Sequence, residues 1–131
     1  MKNISKSFDI AKQFLGKEVE VIIDRKLGSA HPEFGFVYEV NYGYIPGIKM
    51  PDGEDLDCYC LGWDKPMAAV RGKAVAIVHR LDDDDDKLVV VAPGFPFDKD
   101  IIGQKIIFQE KYFRHELVFE FKKTGAGEGL N

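Results

Sequence analysis

Cysteine is nearly absent: the chain holds two, Cys58 and Cys60. Two positions apart on a strand they share a face, and a bridge between them would be badly strained. They read as reduced core residues of a cytoplasmic protein. Cys-x-Cys is also a fragment of a soft-metal site, but no further cysteine completes one. Long apolar runs are missing too. No stretch approaches the roughly 18–20 residues of a membrane span, and Met1 to Lys12 lacks the apolar core of a signal peptide. Excess positive charge is also missing. The formal net charge is −4, which argues against broad nucleic-acid binding, since that wants a basic surface. An anionic substrate would then need metal ions or local Lys and Arg to neutralise it. There is no internal repeat.

What the chain does hold is a sizeable core. Apolar residues make up 45% of its 131 positions, enough for one globular domain spanning 1–131. Ser7 or Asp9 is expected to cap a short helix within 1–16, on which Ile10, Phe14 and Leu15 share a face. Val19 to Ile23 is β-branched and reads as a strand. Asp24 to Gly35 follows as a basic loop punctuated by Gly and Pro, and it carries Arg25, Lys26 and His31. Phe36 to Val40 reads as a second strand and Asn41 to Gly47 as a tyrosine-rich turn. Cys58 to Trp63, Gly72 to Arg80, and Leu88 to Ala92 with Lys87 opening it, read as further strands. Asp98 is placed to cap a helix in which Ile102, Ile106, Gln109 and Phe113 recur. Leu117, Phe119 and Phe121 alternate with charged residues as a last strand, and 125–131 reads as a frayed, flexible tail. These elements predict a mainly β fold with α: a small closed β-barrel with a C-terminal helix packed against it.

Two acidic clusters stand out. Asp52-Gly53-Glu54-Asp55-Leu56-Asp57 sets four carboxylates within six residues. At that density they repel unless water or a cation separates them, and Gly53 supplies a bend that turns neighbouring oxygens toward one point. Hard oxygen donors on a loop suit Mg²⁺ or Ca²⁺; a solvated acidic turn is the alternative. Asp82 to Asp86 then places five aspartates in a row before Lys87. A solvated hairpin explains such a run. Four Asp and a Lys also spell a protease-tag site, although tags belong at termini and linkers. If both clusters meet at one barrel mouth, where ligands often bind, they bed several divalent cations, and such a bed suits phosphoryl chemistry. Lys87 then binds phosphate as a point charge. Tyr38, Tyr42 and Tyr112 donate hydrogen bonds to it while staying neutral at pH 7. Neither cluster has the ligand spacing of an EF-hand.

Asn41-Tyr42-Gly43-Tyr44-Ile45-Pro46, followed by the Asp52 to Asp57 run, resembles the signature of soluble family I inorganic pyrophosphatases. Asp82 to Asp86 with Lys87-Leu88-Val89 resembles their second acidic segment. Phe108-Gln109-Glu110-Lys111-Tyr112 resembles their C-terminal helix motif. The likeness runs from about Val19 to Arg114. It implies an OB-like barrel, several Mg²⁺ ions per site with Mn²⁺ as a substitute, and hydrolysis of pyrophosphate to two phosphates. By position it implies Asp52, Asp57, Asp82 and Asp85 as metal ligands. Glu54 stands as acceptor of the attacking water's proton, with Asp57 beside it in the catalytic set. Lys87, Tyr42, Tyr112 and Tyr38 stand as phosphate ligands.

The pattern departs in places. Glu54 stands where the family has Asp, and Glu20 and Ile22 stand where it has Lys-x-Glu. Ala30 and His31 occupy a shortened stretch where the family has a phosphate-binding arginine, and Phe113 replaces the Lys after the tyrosine. Arg25, His31 and Arg114 are the candidate replacements for the missing cations. With this altered set, the alternatives are a hydrolase of another phosphate ester or nucleotide, or a catalytically silent metal- or phosphate-binding module. The resemblance also implies a cytoplasmic homo-oligomer acting on a small anionic phosphate substrate, with no nucleic-acid or membrane partner.

Overall fold

The computed structural model describes residues 5–119. Val19, Val21 and Ile23 alternate with charged or half-buried neighbours, so the segment forms a strand with one dry face: β1, Glu18–Arg25. It is followed by β2, Asn41–Lys49, β3, Asp55–Leu61, β4, Ala69–Arg80, and β5, Lys87–Val91. The strand order is β1-β2-β3-β5-β4, and β4 pairs back onto β1, which closes a five-stranded barrel. β3 and β5 run parallel, while the other barrel pairs are antiparallel. β6, His115–Phe119, adds to β4 outside the barrel. Two helices pack on this frame: α1, Lys6–Lys12, and α2, Lys99–Glu110. The expected closed barrel with a C-terminal helix is therefore present. Among the described residues no helix is long and apolar enough to cross a membrane.

Strand alternation sorts the core into two layers. Val21, Leu56, Cys58, Cys60, Leu88 and Val90 fill the barrel interior together with Ala11 of α1. Tyr42, Tyr59, Leu61, Val78, Val89 and Val91 face outward and pack under Ile102, Ile106 and Phe108 of α2. Leu56, Ile77, Leu88, Ile102 and Ile106 are fully buried, and each contributes roughly 1.5–3 kcal/mol of hydrophobic stabilisation. Gly43 is dictated by closure of the barrel, because a Cβ there would lie 1.9 Å from the Ile22 carbonyl oxygen.

Some expectations need correction. Phe36 to Val40 is loop, carrying only the isolated bridge between Ala30 and Val37. The strand lies one step later, in the stretch that reads as a turn. Its turn-forming residues have other work: Gly43 permits close strand approach, and Pro46 and Gly47 sit where the β2–β3 register slips between Ile45 and Lys49. At such an irregularity a missing N–H is tolerated, and Gly47 adopts φ 84°. Ser5, not Ser7 or Asp9, caps α1, its Oγ accepting from the Phe8 N–H at 3.1 Å. β3 begins at Asp55, inside the acidic cluster. Asp98 caps α2 as expected, but Phe113 lies beyond the helix end. Phe121 and the tail 125–131 fall outside the described residues.

Candidate active site

Alternation also decides which polar side chains meet. Cys58 and Cys60 point into the barrel, so Asp57 and Tyr59 point out; Leu88 points in, so Lys87 points out. Tyr42 pairs with Tyr59 across β2–β3, and Cys58 pairs with Leu88 across β3–β5. Tyr42, Asp57 and Lys87 thus converge on the outward-facing side of the barrel wall, with Asp57 and Lys87 near the starts of the parallel neighbours β3 and β5. The Tyr42 hydroxyl donates to Asp57 Oδ2 at 3.1 Å. Lys87 Nζ donates to that same oxygen at 3.3 Å and to Asp85 Oδ2 at 3.2 Å. Lys87 is 3% exposed, so it serves as the shared countercharge of two carboxylates. Burial pushes the Tyr42 phenol well above its ordinary value, and the charges of Asp57 and Asp85 push the same way. Tyr42 is therefore a fixed donor. Burial also raises Asp57, against the pull of Lys87 and the Tyr42 hydroxyl.

Arg25 ends β1 directly opposite Tyr42 in the β1–β2 register. Burial raises the Tyr38 phenol, and the positive charge of Arg25 partly offsets this. The Tyr38 hydroxyl donates to Gln109 Oε1 at 3.0 Å. Gln109 Nε2 donates to the Tyr59 hydroxyl at 2.6 Å, and that hydroxyl donates to Glu110 Oε2 at 2.6 Å. Glu110 is fully buried and accepts from Arg80 Nε at 2.8 Å and Nη2 at 2.9 Å. The Phe113 ring covers the guanidinium at 3.7 Å. Because a Gln carbonyl only accepts and an ammonium or guanidinium only donates, every proton in this chain of bonds has one direction.

The five aspartates are each engaged, and by different sets of partners. Asp82 pairs with Arg114 at 3.1 Å and Asp83 with Arg80 at 3.3 Å. Asp84 Oδ1 accepts from Ser5 Oγ at 2.6 Å and from the Ser7 N–H at 2.9 Å, tying down the start of α1. Burial alone would raise Asp84, but these bonds together hold its carboxyl below the ordinary value. Asp85 meets Lys87. Asp86 is buried, lies 2.8 Å from His79 Nδ1, and accepts from the Arg80 N–H at 2.9 Å.

Among the described residues the remaining candidates make no hydrogen bond to the Lys87 cluster. Asp52 and Glu54 occupy the exposed turn before β3, where Asp52 Oδ1 accepts from the Glu54 N–H at 2.9 Å. His31 Nδ1 accepts from the Glu33 and Phe34 N–H groups at 3.0 and 3.1 Å, which fixes the ring against its own loop. Tyr112 is exposed, with its ring stacked on Phe36. Arg114 is exposed and engaged with Asp82.

The donor set bears on a metal. Among the described residues no three His, Cys, Asp or Glu groups converge as a ready site. Two carboxylates do meet, Asp57 and Asp85, on the Lys87 ammonium. Both offer hard oxygen, while the two thiols face the interior and are pushed up by burial. That chemistry fits Mg²⁺ or Mn²⁺ and not a soft metal.

A closed five-stranded barrel with a helix on its outer wall, and Tyr42, Asp57, Asp85 and Lys87 joined by hydrogen bonds on that wall, defines a small-barrel protein with a mixed-charge polar cluster. The family model for inorganic pyrophosphatase matches residues 6–125. The chain belongs to the inorganic pyrophosphatase family. It is 30% identical over 89 residues to "Soluble inorganic pyrophosphatase 2" of Chlamydomonas reinhardtii, a match that covers 62% of this chain and 46% of that protein. The chain thus spans about half the length of this curated relative. The fold is shared with the inorganic pyrophosphatase of Ehrlichia chaffeensis (TM-score 0.64, 20% identity, 80% of this chain and 87% of that one). It is also shared with that of Neisseria gonorrhoeae (TM-score 0.59, 20% identity, 77% and 80%).

Sequence reasoning missed the Arg80–Glu110 pair and the partners of Asp83, Asp84 and Asp86. One signal was available: Glu110 follows Ile102 and Ile106 at successive spacings of four on the buried stripe of α2, and a carboxylate there calls for a buried cation.

Proposed function

We propose that the chain hydrolyses inorganic pyrophosphate to two phosphates with Mg²⁺, or Mn²⁺ in its place. The observation that carries this is the Lys87 ammonium held between Asp57 and Asp85, with the Tyr42 hydroxyl on the same Asp57 oxygen. Asp57 and Asp85, joined by Asp52 from the neighbouring turn, would hold the divalent ions; Asp82, paired with Arg114, is left out of that set. Such ions neutralise phosphate charge and lower the pKa of a bound water. Lys87 spends two of its three N–H donors on carboxylates, which leaves one for a phosphate oxygen. Arg25, aligned with Tyr42, supplies a second cation for the same phosphate. Tyr42 holds Asp57 in place, and its hydrogen bond offsets part of the effect of burial on that carboxyl. The Tyr38 proton is committed to Gln109, so Tyr38 positions Arg25 and does not itself donate to phosphate. Glu54, on the exposed turn, accepts the proton of the attacking water, worth roughly 10²–10⁴ in rate for a well-placed general base. By the resemblance we extend the reading to a cytoplasmic homo-oligomer.

Phosphate release from pyrophosphate, with and without millimolar Mg²⁺, tests the proposal. Fast metal-dependent release that Asp57→Asn abolishes in a folded protein supports it. Release that survives Asp57→Asn, or no release from folded wild type, overturns it.

A further inference from the structure

We propose that the loop between β1 and β2, together with Tyr112, forms an aromatic shelf that holds the base of a nucleoside diphosphate, so that the phosphate site also takes a pyrophosphate carrying a nucleoside ester. This deepens the function proposed above and rests on it. Large aromatic side chains normally bury, yet Phe34 is 73% exposed and Tyr112 is 60% exposed. Neither ring is isolated. Phe34 stacks on His31 at 4.7 Å, and His31 lies near parallel to Tyr38 at 6.2 Å. Tyr112 stacks on Phe36 at 5.9 Å, and Phe36 meets Tyr38 at 5.5 Å. Tyr38 in turn lies 5.4 Å from Tyr42, whose ring has the Lys87 ammonium 5.8 Å from its centre. Two runs of rings therefore lead from the phosphate cation to two exposed aromatic faces.

The electrostatics agree with this division of labour. Backbone donors to Nδ1 pin the His31 ring, which suits a stacking surface. A cation stands at each end of the run through Tyr112, Lys87 on the Tyr42 ring and Lys111 5.3 Å from the centre of the Tyr112 ring, so a ligand with a phosphate head and a flat heteroaromatic tail would meet charge and rings along the same run. Bases stack on exposed aromatic faces without sequence preference, so the shelf selects for a base but not for which base. In the reaction the water oxygen forms a bond to the terminal phosphorus as the anhydride P–O bond breaks. The water's proton passes to Glu54, and the products are a nucleoside monophosphate and orthophosphate.

The test compares ADP with pyrophosphate on wild type and Phe34→Ala, whose exposed ring leans on His31 outside both core layers. The ratio of kcat/KM for ADP to that for pyrophosphate is expected to fall about tenfold, the worth of one stacked base. NMR titration with ADP, read at the Phe34 and Tyr112 ring protons, follows the shelf without turnover. ADP binding that shifts those rings and weakens in Phe34→Ala supports the shelf even where pyrophosphate proves inert, and only the hydrolytic reading then fails. Equal ADP affinity in wild type and variant overturns the shelf even where pyrophosphate is hydrolysed fast. So does a Phe34→Ala protein that changes only its sedimentation, which would make the patch a contact between copies of this chain.

Discussion

Replacing Arg80 with Met should be among the costliest single changes outside the phosphate cluster. Arg80 is 4% exposed and gives Glu110 two hydrogen bonds, at 2.8 and 2.9 Å. Met keeps much of the stem and removes the charge. Glu110, fully buried, is then left with the Tyr59 hydroxyl as its remaining hydrogen-bond donor. Stranding a buried charge in this way costs roughly 3–5 kcal/mol, against a total stability on the order of 5–15 kcal/mol. The bond to Asp83 at 3.3 Å adds little, because Asp83 is exposed and screened. Changing both partners, Arg80→Met with Glu110→Leu, leaves no stranded charge and should recover most of the loss, with about 1 kcal/mol remaining for the Tyr59 hydroxyl that loses its acceptor. Urea unfolding at unchanged slope reads both quantities as midpoint shifts. The reasoning is refuted if Arg80→Met costs less than about 1 kcal/mol, or if the double variant is no more stable than the single.

The other expectations concern closure, charge and catalysis. Gly43→Ala should abolish folding, since its Cβ would sit 1.9 Å from backbone oxygen; a soluble variant with native circular dichroism would contradict that. Burial raises Asp57 in the fold, so its ionised form is disfavoured there and wild type loses stability as pH rises through the folded value. Asp57→Asn should therefore be inactive yet more stable at neutral pH, with the gap closing below the ordinary carboxylate range near pH ~4. Thermal melts across pH check this, and a destabilised variant at neutral pH would count against it. Glu54→Gln should lower kcat by roughly 10²–10⁴ with little change in KM, measured as phosphate release at saturating Mg²⁺.

How much of this was legible in the sequence follows from where the information sits. β1, β4 and β5 are β-branched and bounded by turn residues, and α2 carries its cap at Asp98, so local chemistry announced them. β2 was hidden because Gly43, Pro46 and Gly47 spell a turn. They are present for a tertiary reason, strand contact with Ile22 and a register slip, that no window of residues contains. Tyr42, Asp57, Asp85 and Lys87 were singled out on charge density and resemblance, and the structure does bring them together. Asp82 and Arg114, expected at metal and phosphate, form an exposed ion pair with one another at 3.1 Å. The aspartate run resisted reading because its partners lie far off in the chain; Ser5, for one, is 79 residues from Asp84.

That run has one more consequence. Asp83-Asp84-Asp85-Asp86-Lys87 spells the recognition sequence of a tag-cutting protease, and such a protease needs an extended, accessible peptide. Here Asp86 and Lys87 are buried, and the Lys87 backbone is paired with Val78 at the start of β5. The scissile bond is therefore withheld for as long as β4 and β5 stay zipped. The untagged chain carries its own unfolding clock: when opening is fast relative to cleavage, the rate of cutting after Lys87 tracks the population of opened barrel, and substitutions can be ranked on a gel with no probe attached.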